Sequence, residues 1–245
     1  MSIATAITNA QGRVADCYTA ISNKGGTLPA TQNLANMPTA IGSIQTGYKE
    51  FPSYQVSNGV ASRKSGVLGN ELSSITSVGR YGLYRNYSYC YYFTGGVNFS
   101  SLETVEDYGL NGCFDNCSGL NGTVDLSSLR TIGKQGLMYF LYFCINIIGV
   151  VNFTNLTTIG NAGLQYAFAY DSKITDIYFN SLTTTSFGSY TNQFSGMLNS
   201  TGSSSTRTLH FPSNLQSTIS GLSGYPTFGG TSGYVVLAFD LPATS

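Results

Sequence analysis

The chain has no tryptophan, one histidine (His210) and few charges: 9% of its 245 residues are Asp, Glu, Lys or Arg, against roughly 25% in an average domain. Eleven basic and eleven acidic residues cancel, and no basic run occurs, so there is no electrostatic footprint for nucleic acid or an anionic membrane. Residues 1–21 have neither a basic start nor a continuous apolar core, which argues against a secretory leader. Apolar runs of about 18 residues, the length of a membrane span, are absent. Even the most apolar stretch, 137–153, is broken by Tyr, Cys, Asn and Gly. The expectation is a chain without a membrane span, made in a cytoplasm and either kept there or released by lysis.

Cysteine is sparse and odd in number: Cys17, Cys90, Cys113, Cys117 and Cys144. Without an export signal this argues against a disulfide framework. Cys113 and Cys117 form a CxxxC, but no second pair or histidine cluster completes a zinc site. No GxSxG, P-loop, HExxH or dinucleotide fingerprint is present. The expectation is a protein that is not an enzyme and has no metal or cofactor.

What is abundant is glycine (29), tyrosine (18) and apolar residues in general (42%), enough for a sizeable core under a polar, uncharged surface. From Asn70 these residues fall into a repeat of 27, with units opening at Asn70, Val97, Val124 and Val151. Further units follow at Ile177 and Leu209, after a shortened repeat and one enlarged by the Ser-rich insertion 200–205. The third position of each unit is Leu72, Phe99, Leu126, Phe153, Phe179 and Phe211; the sixth is Ile75, Leu102, Leu129, Leu156 and Leu182. The ninth is Val78, Val105, Ile132 and Ile159. A Gly-Leu pair follows at 82–83, 109–110, 136–137 and 163–164, then Tyr87, Phe114, Leu141 and Phe168, then Phe93, Leu120, Ile147 and Ile174. Seven apolar columns in register predict a solenoid, because one unit buries too little alone and must stack on its neighbours. The first columns mark a strand and its turn; the Gly-Leu pair and following aromatic are expected on a helical or 3₁₀ return, giving an α+β solenoid.

Cys90, Cys117 and Cys144 share the repeat spacing, and Asp171 and Met197 take the next two places. The reading is structural: small buried groups on the inner turn, with no basic partner to activate a thiol. The domain plan is an N-terminal helical hairpin over 1–45, a linker or short irregular β segment over 46–69, and the solenoid over 70–245. In the hairpin, Ile3, Ile7, Ala10, Val14, Cys17 and Ile21 recur at helical spacing, and Leu34, Met37, Ile41 and Ile44 form a second stripe after the break at 24–29. Ile3, Ile7, Val14, Ile21, Leu34, Met37 and Ile41 are candidate assembly or anchor residues; the alternative is that the hairpin caps the first coil.

The phrase Leu129-Arg130-Thr131-Ile132-Gly133, with the aromatic, cysteine and apolar columns behind it, resembles the BspA-type leucine-rich repeat. This chain departs from that family's pattern by placing Gly-Leu where Ala-Phe is usual and by lengthening the segment before the cysteine. Residues 24–29 (KGGTLP) and 33–37 (NLANM) look like the opening of tail-fibre and related virion proteins of gut bacteriophages. These resemblances imply a virion structural protein, tail- or head-fibre-like, assembled in the host cytoplasm. They also imply other virion proteins as partners, a homo-oligomer of trimeric type, and a host cell-surface glycan or protein as ligand. The alternative is a bacterial BspA-like adhesin on the cell surface. A depolymerase is disfavoured, since no paired carboxylates stand on matched columns.

Charged clusters read as surface. Glu103, Glu106 and Asp107 are expected to be solvated, and His210, alternating with Phe211, to be an exposed strand residue. Ser77, Thr104, Thr131, Thr158 and Thr184 occupy one column and predict a hydroxyl ladder that supports strand pairing, or, less simply, a flat array for ice or polysaccharide. Tyrosines falling between the apolar columns offer rigid amphipathic contact area. Tyr84, Arg85, Tyr139, Tyr142 and Tyr166 are the candidate ligand-binding residues, with ordinary solenoid packing as the competing reading.

Overall fold

The computed structural model describes residues 54–57, 60–63, 65–68, 71–171, 173–199, 205–230, 232 and 234–244, with 11, 14–15, 17–18, 30–33 and 35–36 nearer the N-terminus. The chain divides into two units, Met1–Lys49 and Glu50–Ser245. In the first, Gln11, Val14, Ala15, Cys17 and Tyr18 are helical. Val14 is half-buried, Cys17 is exposed, and Tyr18 is the buried side chain, its hydroxyl donating to the Asn33 carbonyl at 2.8 Å. The other anchor candidates, Ile3, Ile7, Ile21, Leu34, Met37 and Ile41, lie outside the described residues.

The second unit is a parallel β-solenoid of about six turns with little helix. A hairpin of β1 (Tyr54–Ser57) and β2 (Val60–Arg63) precedes it. The parallel stack then begins at β3 (Ser65–Leu68), which lies within the segment expected as a linker or short irregular β segment and pairs with β5 (Tyr92–Gly95). One face is a four-stranded parallel sheet of two-residue strands: β4 (Ser77–Val78), β7 (Thr104–Val105), β9 (Thr131–Ile132) and β11 (Thr158–Ile159). A second is a six-stranded parallel sheet, in stacking order β6 (Val97–Asn98), β8 (Val124–Asp125), β10 (Gly149–Asn152), β12 (Ile174–Tyr178), β13 (Arg207–Pro212) and β14 (Val235–Leu241).

Every apolar column points inward. Phe99, Leu102, Val105, Leu110, Phe114, Cys117 and Leu120, which make up one coil's lining, are all fully buried. The same side chain recurs above itself in each coil, so rings stack: Phe153 on Phe179 at 5.3 Å and Phe179 on Phe211 at 5.2 Å, within 6° of parallel. Such pairs contribute about 0.5–1.5 kcal/mol each beyond their burial.

The third face has overlapping turns where a helical or 3₁₀ return was expected. Residues 80–90 and their counterparts form overlapping turns, and among the described residues the α-helix of this unit is α1 (Gln216–Ser220), after a 3₁₀ turn at Ser213–Leu215. The hydrogen bonding explains why. Alternate amides close four-residue turns within the coil, as Tyr84→Tyr81, Asn86→Leu83 and Ser88→Arg85. The amides between them donate to the next coil: Tyr81→Asp107, Leu83→Gly109, Arg85→Asn111, Tyr87→Cys113 and Tyr89→Asp115. A helix would use all of these donors within its own segment; here half of them bind coil to coil. Gly136 shows how closely the turn presses on the strand, since a Cβ there would meet Ile132 Cγ2 at 2.8 Å.

Candidate recognition site

The turn ribbon sets its side chains by a backbone rule. Every fourth residue has positive φ: Tyr81, Arg85 and Tyr89 in one coil, then Tyr108, Gly112 and Asn116, then Gln135, Tyr139 and Phe143, then Ala162, Tyr166 and Tyr170. This is the left-handed region that bulky residues rarely enter. Here the coil-to-coil hydrogen bonds on both sides hold it in place. Leu83 and Tyr87 and their column mates point inward, while several of the positive-φ residues stand on the outer surface, one above another.

On that surface Tyr139 stacks on Tyr166 at 5.1 Å and 3°, and Phe143 on Tyr170 at 4.1 Å and 6°. Tyr142 lies edge-on between them, 5.2 Å from Tyr139 and 5.3 Å from Tyr170. Three of the five expected ligand-binding residues, Tyr139, Tyr142 and Tyr166, are thus brought together. Tyr84 and Arg85 stand two coils earlier. Tyr84 is 44% exposed and edge-on to Tyr81, with the Arg85 guanidinium 5.9 Å from its ring. Arg85 also leans over Gly112, where a Cβ would meet its Cγ at 3.0 Å. Across that gap its charge is felt by Tyr139 and Asp115.

Burial pushes the Tyr139 and Tyr142 hydroxyls above their ordinary value, and the neighbouring phenols Tyr166 and Tyr170 add to it. Burial also raises the Asp115 carboxyl, opposed by an Asn116 amide donating at 2.6 Å and by the Arg85 charge. Phe143, Tyr81, Tyr108 and Asp115 were not among the expected residues. The signal that could have located the first three is the four-residue spacing of outward side chains within each coil, repeated every 27.

The remaining candidates resolve into structural roles. Glu103 faces Arg130 at 3.8 Å with both side chains more than half exposed, an arrangement that contributes little. Glu106 accepts the Arg80 amide at 2.9 Å and Asp107 the Lys134 amide at 2.7 Å, each bridging to an adjacent coil. Ser77, Thr104, Thr131 and Thr158 are direct partners across four strands, but Thr184 lies in a turn, so the ladder ends at Thr158. Cys90, Cys113, Cys117 and Cys144 are buried thiols outside any disulfide. The thiols of Cys117 and Cys144 donate to the Tyr87 and Phe114 carbonyls at 2.9 Å, and burial raises both.

His210 departs from the exposed-residue expectation. Its side chain is 12% exposed, with Nδ1 2.9 Å from Asp240 Oδ2, Nε2 3.2 Å from Asp176 Oδ1, and the ring stacked on Tyr178 at 4.1 Å. Both carboxylates come from strands adjacent to its own, far away in sequence.

Among the described residues, no group of three or more His, Cys, Asp or Glu side chains is arranged to hold a metal ion, and no helix is long and apolar enough to cross a membrane. No family model matches the sequence, and neither the curated proteins nor the solved structures include a significant match.

Proposed function

We propose that this chain is a non-enzymatic recognition and assembly protein, a virion structural subunit of tail- or head-fibre type whose solenoid displays a binding face to a host-cell surface. One observation carries the reading: Tyr139, Tyr142, Phe143, Tyr166 and Tyr170 are locked against one another on one outward face. Stacking covers ring faces, so a partner meets mainly edges and phenol hydroxyls. Their conformational entropy is already spent in folding, which favours binding by a preorganised surface. That combination suits a glycan or a protein rich in hydrogen-bonding groups.

The particle setting, a homo-oligomer anchored by the N-terminus, rests on the resemblance of residues 24–29 and 33–37 to virion proteins. The coils are read as a divergent BspA-type leucine-rich repeat on the strength of their apolar and cysteine columns. Purified protein is expected to bind intact gut-bacterial cells of a susceptible type. Tyr142→Ala with Tyr170→Ala should weaken that binding about tenfold or more, as loss of central aromatic contacts does, without lowering the melting temperature enough to explain it. Undiminished binding by the double variant would remove the aromatic face from the proposal. Absence of the chain from purified particles by mass spectrometry would remove the virion setting.

A further inference from the structure

Away from the aromatic face, where the four-stranded sheet turns into the ribbon, an open cleft of about 310 Å³ is lined by Arg80, Thr104, Glu106, Asp107, Thr131 and Gly133, with Val105 beneath. This is the lower end of the size range of small-molecule sites, about 300–1,000 Å³. Its polar groups are held in place rather than mobile. Glu106 spends one carboxylate oxygen on the Arg80 amide and Asp107 one on the Lys134 amide, which leaves each with a second oxygen for a ligand. Thr104 and Thr131 are register partners in adjacent strands, and they are the half-buried members of the hydroxyl ladder, whereas Ser77 and Thr158 at its ends are exposed. Beside the cleft, Tyr81 and Tyr108 stack at 4.8 Å, with Arg80 over one ring at 5.4 Å and Lys134 over the other at 5.9 Å.

We propose that this cleft binds a neutral pyranose unit of a glycan. Two fixed carboxylate acceptors and two hydroxyls favour a ligand that brings many hydroxyl donors, and because Arg80 and Lys134 offset Glu106 and Asp107 the cleft has no excess charge to favour an ionic ligand over a neutral one. An extended peptide is a poorer fit, because the strands behind the cleft already spend their backbone groups on each other. Gly133 lets the two coils close up at the cleft: a Cβ there would meet the backbone of Glu106 and Asp107 at 2.7 Å and the Asp107 carboxylate at 2.8 Å. The site stands apart from the aromatic face and from the particle setting, so neither reading needs the other.

The test is saturation-transfer NMR on the full chain with the methyl glycosides of glucose, galactose, mannose and N-acetylglucosamine. At least one is expected to bind. Glu106→Gln combined with Thr131→Val should weaken it about tenfold, the loss that follows from removing hydrogen bonds to a charged group and a hydroxyl. Tyr142→Ala/Tyr170→Ala should leave it unchanged. Circular dichroism melts of the cleft variant within a few degrees of the parent keep the comparison interpretable, and Thr104→Val is the second variant if that condition fails. No saturation transfer from any of the four sugars overturns the proposal. So does equal binding by the cleft variants, binding lost only with the tyrosines, or tight binding of calcium alone at Glu106 and Asp107.

Discussion

The coils between residues 71 and 171 and those after Lys173 solve the same stacking problem by different means. In the first set the strands of the six-stranded sheet are short, two residues in β6 and β8, and the ribbon carries five coil-to-coil bonds per interface. In the second the strands lengthen to five, six and seven residues in β12, β13 and β14. There the last ribbon interface retains the Leu198→Phe228 bond. The interior changes with them. Thiols line the inner turn of the early coils, whereas Asp171 sits in the same column at 1% exposure, both carboxylate oxygens without a hydrogen-bond partner among the described residues. Arg207, also 1% exposed, approaches from the next coil and donates to the Asp171 carbonyl at 3.5 Å. A strict 27-residue period sustains the ribbon; where the repeat first shortens and then lengthens, hydrogen bonding shifts to the sheet.

The largest expected effect is on the paired substitutions Phe153→Ala and Phe239→Ala. Phe153 is fully buried between coils, and its loss should cost about 3–5 kcal/mol. Phe239, half-buried in the terminal strand, should cost under about half of that. Chemical denaturation measures both, and equal losses would mean that the two regions are equally packed.

Next comes the charged pair. Asp171→Cys alone takes the buried carboxyl away from Arg207 and should destabilise by about 1–3 kcal/mol, while Asp171→Cys with Arg207→Met should recover most of that loss. Burial raises the Asp171 carboxyl well above 3.8, its neighbour Arg207 lowering it less. A raised folded value means the contribution is full below 3.8 and is lost as pH rises toward the folded value. Parent stability should therefore decline over that window, and the double variant, which keeps the raised Asp115 carboxyl, should decline less.

Within the regular coils, Gly136→Ala should cost about 1–3 kcal/mol by driving a methyl into Ile132. A melting temperature within a degree of the parent would contradict the close strand-to-ribbon contact. The smallest effect belongs to His210→Gln, which removes a link between β12 and β14. Loss of about 0.5–1.5 kcal/mol is expected, seen most clearly as faster amide exchange in β14 with the earlier coils unchanged.

The apolar columns were legible because burial in a stacked coil imposes one residue class at one spacing, and Phe99, Leu126 and Phe153 all landed inside. The ribbon was not. Tyr139, Phe143, Tyr166 and Tyr170 are residues that no local rule assigns to positive φ, so the segment that carries them was expected as a helical or 3₁₀ return. The partners that hold the backbone there sit 26 residues away in the next coil for Tyr139 and Phe143 and 29 away for Tyr166 and Tyr170. The His210 clamp escaped for a related reason: Asp176 and Asp240 reach it only through strand register, after two irregular connections. Of the candidate site, Tyr139, Tyr142 and Tyr166 were foreseeable as outward tyrosines. Their mutual stacking depended on knowing which residues of successive coils share a rank.

The one-way hydrogen bonding of the ribbon has an electrical consequence. In each interface between residues 81 and 170, the earlier coil supplies the N–H and the later coil the acceptor. Ordinary strands alternate their peptide groups and largely cancel. These rows add along the solenoid axis, as peptides do in an α-helix. The stack is therefore an axial dipole, carbonyl-negative at its first coil and amide-positive towards its last, which gives the solenoid two electrostatically different ends.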